Sequence, residues 1–185
     1  MSTNELFTGE KIGLEEMMES REQRSLRHFS LLSKNTDANL LSVTMNIPGP
    51  IKTSPQLLAL FEEMIAVIQA KLADQAIFYD LYLPLKTGAE YYLLTHLSAT
   101  SLKERMIALE MENPLGRLFD LDVLTLSDGH LQSISRQDLG LPARRCYVCS
   151  ENAKACGRSR KHSVEEMHKA IQQIITSTIS HTKEE

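Results

Sequence analysis

Long hydrophobic runs are missing from this chain of 185 residues. None approaches the roughly 18 consecutive apolar residues that a membrane-spanning helix requires, and no membrane partner is expected. The opening segment, Met-Ser-Thr-Asn-Glu-Leu-Phe, lacks the basic start and the apolar stretch of a secretory signal, so the expected location is cytoplasmic. Positive charge is not in excess either. A net charge of −4 argues against a general nucleic-acid binder, and no nucleic-acid partner is expected. Internal repeats and low-complexity linkers are absent, so residues 1–185 read as a single domain large enough to bury a proper core. Tryptophan is absent, but 42% hydrophobic and 24% charged residues are ordinary for a soluble globular protein.

Cysteine is scarce and clustered. The three residues form Cys146-x-x-Cys149-x₆-Cys156, with His162 beyond. An odd count in a chain expected to be cytoplasmic argues against a disulfide framework. Three thiols and an imidazole could make a closed tetrahedral Zn²⁺ site, although the Cys156-to-His162 spacing is loose. Thiol chemistry, or small buried hydrophobes, are the other readings of the same residues. The cluster sits in a basic segment, residues 136–162, whereas residues 1–20 carry five glutamates against one lysine. Such a segment is a local anion site or a partner surface more often than a whole-protein field.

What the chain does have is a pair of carboxylates inside an apolar run, Leu118-Phe119-Asp120-Leu121-Asp122-Val123-Leu124. On a strand, side chains alternate faces, so Leu118, Asp120, Asp122 and Leu124 would share one face and Phe119, Leu121 and Val123 the other. Two adjacent anions resist desolvation and call for a cation. A hard ion such as Mg²⁺, shared with substrate phosphates, meets that need and points to phosphoryl or nucleotidyl transfer. The bland alternative is a strand end facing water.

The periodicity predicts helices over residues 13–33, 55–73, 101–112 and 163–180, and strands over 39–47, 76–84, 89–97, 117–126 and 130–134. Leu14, Met17, Met18, Leu26, Phe29 and Leu32 give the first helix an apolar stripe. Arg21, Arg24 and Arg27 run up one side of it, either as a solvated row or as a polyphosphate clamp. Ser54 and Pro55 mark the start of the second helix, and Lys52 after Pro48-Gly49-Pro50 would be a phosphate contact there. Ser101 and Glu104 form a capping box for the third. The last helix turns Val164, Met167, Ile171, Ile174, Ile175 and Ile179 inward. The sum is an α+β domain: a mixed, mostly antiparallel sheet of about five strands with packed helices, plus the basic Cys-rich segment, which would fold back over the sheet.

Taken together, several segments resemble the apo-citrate lyase phosphoribosyl-dephospho-CoA transferases, also called citrate lyase holo-acyl-carrier-protein synthases. They are Ser20-Arg21-Glu22-Gln23-Arg24-Ser25-Leu26-Arg27, Pro48-Gly49-Pro50-Ile51-Lys52, Asn113-Pro114-Leu115-Gly116-Arg117 running into the aspartate strand, and Leu141-Pro142-Ala143-Arg144-Arg145-Cys146 with Cys149, Cys156 and His162. Asn113, Phe119 and Ala143 depart from the pattern, where His, Trp and a second Pro would be expected. The resemblance implies transfer of a 5′-phosphoribosyl-dephospho-CoA unit from 2′-(5″-triphosphoribosyl)-3′-dephospho-CoA to a serine of the citrate lyase acyl-carrier subunit, with release of pyrophosphate. In that frame Asp120 and Asp122 would hold Mg²⁺, and Arg117, Arg21, Arg24 and Lys52 would contact the polyphosphate. Glu110 would be a third carboxylate or a base, or equally a surface residue. Arg144 and Arg145 would dock the acidic carrier or the CoA phosphates. The strand-borne aspartates are also analogous to polymerase-β-like nucleotidyltransferases, whose Gly-Ser approach motif is not visible. Two alternatives stand beside this: the equivalent synthase for the malonate decarboxylase carrier, and a non-catalytic zinc-bearing adaptor for an acidic carrier protein.

Overall fold

Strands form where β-branched and aromatic residues alternate between turn signals. They are β1 (Asn39–Met45), β2 (Ile77–Leu85), β3 (Gly88–Thr95), β4 (Phe119–Ser127) and β5 (His130–Ile134) in a computed structural model that describes residues 6–181, with side chains to residue 178. They make one sheet in the order β2-β3-β1-β4-β5, with every neighbouring pair antiparallel. The β4–β5 turn places Asp128 at φ 51° and Gly129 at φ 75°, the left-handed pair whose twist suits a two-residue hairpin. The helices are α1 (Leu14–Lys34), α2 (Pro55–Lys71), α3 (Ala99–Glu112), α4 (Ala153–Ser159) and α5 (Val164–His181). Among the described residues, no helix is long and apolar enough to cross a membrane.

One face of the sheet carries the main core. Leu57, Phe61, Met64 and Ile68 of α2, Leu102, Met106 and Leu109 of α3, and Ile171 and Ile175 of α5 pack with Val43, Tyr91, Leu93, Phe119, Leu121 and Val123. Each such side chain contributes about 1.5–3 kcal/mol through burial, which holds the three helices against the strands. Ser54 caps α2, accepting from the Leu57 amide at 3.2 Å, with Pro55 at the first helical position.

The other face is covered by α1, and it corrects the expected stripe on that helix. Leu14, Met18, Leu26 and Phe29 point to solvent, from 44% to 78% exposed, while Leu32 alone of the six is buried. The reason lies in the sheet beneath. Leu40, Leu94 and Leu124 make an apolar patch with Leu32 at one end, but the rest is polar. Glu90, Thr44 and Asp120 form one cross-strand row, and Tyr92, Ser42 and Asp122 the next. Arginines match such a surface better than apolar side chains do, so α1 turns its charged side inward.

Three smaller corrections follow. Ser98, not Ser101, caps α3, accepting from the Ser101 amide. A 3₁₀ turn over Pro114–Leu118 precedes β4, so Leu118 joins the main core rather than the aspartate face. A 3₁₀ turn over Gln137–Leu139 and the short helix α4 lie inside the Cys-rich segment, where no regular element was expected. Ile179 and the Lys183-Glu184-Glu185 tail fall outside the described side chains.

Candidate functional site

β4 alternates as its composition dictates. Phe119, Leu121 and Val123 are buried, while Asp122 is exposed and Asp120 half-buried on the opposite face. β5 pairs with β4 only from Val123 onward, which leaves the Asp120–Asp122 edge open to other elements. Lys103 of α3 takes that edge, donating from Nζ to the Leu121 carbonyl at 2.8 Å. Burial lowers the Lys103 pKa, and the neighbouring Asp122 charge opposes that fall.

Arg144 spans two carboxylates, donating to Asp120 Oδ1 at 3.0 Å and to Glu110 Oε2 at 2.9 Å. Glu110, at 9% exposure, also accepts from Arg136 at 2.9 Å. Its carboxylate is occupied by the two guanidiniums it positions. Asp120 has its pKa raised, first by burial and then by Asp122 and Glu110, against the opposing pull of Arg144. The last turn of α3 is set by the 3₁₀ turn beside it: Asn113 accepts from the Leu115 amide at 2.9 Å, and Gly116 lies so near Glu110 that a Cβ would stand 2.8 Å from its Cα.

Beneath α1, Glu90 is fully buried. It accepts from Arg24 Nε at 2.8 Å and Arg27 Nη1 at 2.6 Å, and the Tyr92 hydroxyl donates to it as well. His28 shares a 2.9 Å hydrogen bond with Ser42, which stands opposite Asp122. Burial, reinforced by the Arg24 charge, pushes its pKa down to about 4. Lys52 donates to the Ile47 carbonyl at 2.7 Å, and burial together with nearby Arg21 lowers its pKa.

The Cys-rich segment docks on the 3₁₀ turn before β4. Arg117 donates to the Arg145 carbonyl at 3.2 Å and lies 5.9 Å above the Tyr147 ring, whose hydroxyl donates back to the Arg117 carbonyl at 2.9 Å. Burial and the Asp120 charge push the Tyr147 phenol up to about 12. Cys146, Cys149, Cys156 and His162 bring one ligand atom each within 4.8 Å of one another, a set that could hold a metal ion. Cys149 Sγ lies 3.5 Å from Cys156 Sγ and 3.2 Å from His162 Nε2. The loose spacing to His162 closes because Arg160 ends α4 in the left-handed conformation, at φ 49°, and turns the chain back.

The structure thus brings Asp120, Asp122 and Arg144 together, and separately the four Cys-cluster residues. It ties Arg24 to Glu90 and Arg117 to the Cys-rich backbone, and leaves Arg21 and Arg145 exposed. Glu90, Lys103, His28 and Arg136 were missed by sequence reasoning. The available signal for Glu90 was a lone carboxylate between Ala89 and Tyr91 in a strand otherwise fit for burial, which calls for a cation from another element.

A family described as apo-citrate lyase phosphoribosyl-dephospho-CoA transferase matches residues 12–178. A protein of Streptococcus pyogenes serotype M18 named "Probable apo-citrate lyase phosphoribosyl-dephospho-CoA transferase" is 54% identical over 96% of this chain and 92% of its own length. One of the same name from Vibrio cholerae serotype O1 is 35% identical over 88% of this chain and 91% of its own. A longer protein of Haemophilus influenzae, "Protein CitXG", is 36% identical over 90% of this chain but only 35% of its own length.

Proposed function

This chain belongs to the apo-citrate lyase phosphoribosyl-dephospho-CoA transferase family, and we propose that it attaches the prosthetic group of citrate lyase. The donor is 2′-(5″-triphosphoribosyl)-3′-dephospho-CoA and the acceptor a serine of the acyl-carrier subunit. The serine oxygen bonds to the α-phosphorus, the bond to pyrophosphate breaks, and the hydroxyl proton passes to solvent. The reaction type is nucleotidyl transfer, in which catalysis is largely positioning and charge stabilisation.

The observation that carries this reading is the Asp120–Asp122 pair on one face of β4, with Arg144 already neutralising Asp120. The two carboxylates suit Mg²⁺ because they are hard oxygen donors that share one face of β4. When bound, the ion would neutralise phosphate oxygens. Lys103 fixes the strand edge that presents the aspartates, and Glu110 holds Arg136 and Arg144 beside them. Arg144 is the side chain best placed to pass from a carboxylate to a phosphate. Arg21 within α1 and Lys52 before α2 provide further charge for the polyphosphate, whereas Arg24 is held by Glu90 and Arg117 by the Cys-rich backbone. Exposed Arg145 suits the acidic carrier, where charge complementarity speeds encounter. The Cys146, Cys149, Cys156 and His162 set has the soft donors and closed geometry of structural Zn²⁺. Thiols kept free for a metal fit a reducing, cytoplasmic setting.

The test is release of pyrophosphate from the donor in the presence of apo carrier. Asp120→Asn and Asp122→Asn should each abolish it while leaving the melting temperature nearly unchanged. Full activity in both variants would remove the aspartates from the mechanism.

A further inference from the structure

The chain between β5 and α5 is held by little that is apolar. Cys156 is its only buried apolar residue among those described, and its regular structure is one 3₁₀ turn and the seven-residue α4. Ordering so long a stretch has a large conformational cost that such contacts do not offset. Yet this stretch delivers Arg136, Arg144 and Tyr147 to the carboxylate edge.

We infer that the metal held by Cys146, Cys149, Cys156 and His162 acts as a clip that positions Arg144 and Tyr147 against β4, so that its occupancy sets the charge at Asp120. This rests on the zinc reading above and goes beyond it in giving the ion a task at the transfer site. The connections are short. Arg144 lies two residues before the first ligand, and its carbonyl accepts from the Ala153 amide at 2.9 Å, at the start of the helix that carries Cys156. The Cys146 amide donates to the Glu151 carbonyl at 2.8 Å, closing the loop between the first two ligands and α4. Tyr147 lies inside the Cys146–Cys149 knuckle and is hydrogen-bonded to Arg117, one residue from Leu118 and the start of β4. Four protein ligands leave no open position on a tetrahedral ion, which makes it a structural element and not a reacting centre. Without it, the three thiols and the imidazole hold one another only by weak hydrogen bonds, and Arg144 is left to its two carboxylates and the Ala153 amide on a segment with little apolar anchorage.

The experiment uses the whole chain, purified without chelator. Elemental analysis should find one zinc per chain, and exchange for Co²⁺ should give the intense visible bands of tetrahedral thiolate coordination. Absence of both overturns the metal site. Hydrogen exchange is then compared with zinc present and removed. Residues 136–162 should lose protection by about tenfold or more, with β1, β3 and α2 unchanged, because local opening is governed by local contacts. Unchanged protection of residues 136–162 overturns the clip. Finally, binding of inorganic tripolyphosphate with Mg²⁺ is measured in the wild type and in Arg144→Met. Zinc removal should weaken it by about tenfold in the wild type, the worth of one charge-assisted hydrogen bond, and should add almost nothing in Arg144→Met. Equal losses in both proteins overturn the route through Arg144. If the zinc-loaded wild type does not bind tripolyphosphate at all, the transferase reading fails instead, and hydrogen exchange still decides the clip.

Discussion

Glu90 is buried with two guanidiniums and a phenol turned towards it, so removing its charge strands Arg24 and Arg27 over the sheet. Breaking a buried pair from one side costs about 3–5 kcal/mol, and the partly exposed arginines place Glu90→Gln near the lower end, about 3 kcal/mol. Urea unfolding checks this, and a loss under about 0.5 kcal/mol, the usual size of a surface change, would contradict it. His28 gives a pH signature. Its folded pKa of about 4 lies below the ordinary 6.5, so between those values the unfolded chain binds a proton that the fold refuses. Stability is complete above pH 6.5 and falls as pH drops towards 4, by at most about 3 kcal/mol from this group. His28→Gln, which keeps a partner for Ser42, should flatten the unfolding curve across that window. At this scale Asp120 and Asp122 were legible, because period-two alternation needs only neighbours in sequence. Glu90 and Lys103 were not, because their partners lie on α1 and on the β4 edge, far along the chain.

Helices and strands were legible nearly to their ends, apart from the 3₁₀ turns over Pro114–Leu118 and Gln137–Leu139 and α4, which are too short to show a period. The side on which α1 packs was not. Its apolar residues suggested the inward face, but direction depends on the surface it meets, and the polar rows of β1, β3 and β4 exist only after the strands are ordered. The Pro114–Leu118 turn is where an element and the site meet. A Cβ on Gly116 would press on the Glu110 backbone at 2.8 Å, with no flexible side chain to yield. Gly116→Ala should therefore cost about 1–3 kcal/mol as overpacking and displace Glu110 from Arg136 and Arg144. Its expected signature is a lower melting temperature together with reduced turnover. Reduced stability at full activity would mean that Glu110 does not position the arginines.

On the scale of the whole molecule, the sheet separates two kinds of interior. The helices α2, α3 and α5 bury an apolar core on one face, and α1 covers a charged one on the other. β4 carries both, with core residues and aspartates alternating along it, and the Cys-rich segment closes over its free edge through Arg144. The direct test of this account is the intact mass of purified apo acyl-carrier subunit of citrate lyase. It is incubated with the chain and the triphosphoribosyl-dephospho-CoA donor, with Mg²⁺ present or omitted, and with the malonate decarboxylase carrier run in parallel. The citrate lyase carrier should gain one phosphoribosyl-dephospho-CoA group only when Mg²⁺ is present. No gain on that carrier, or an equal gain without the ion, would contradict it.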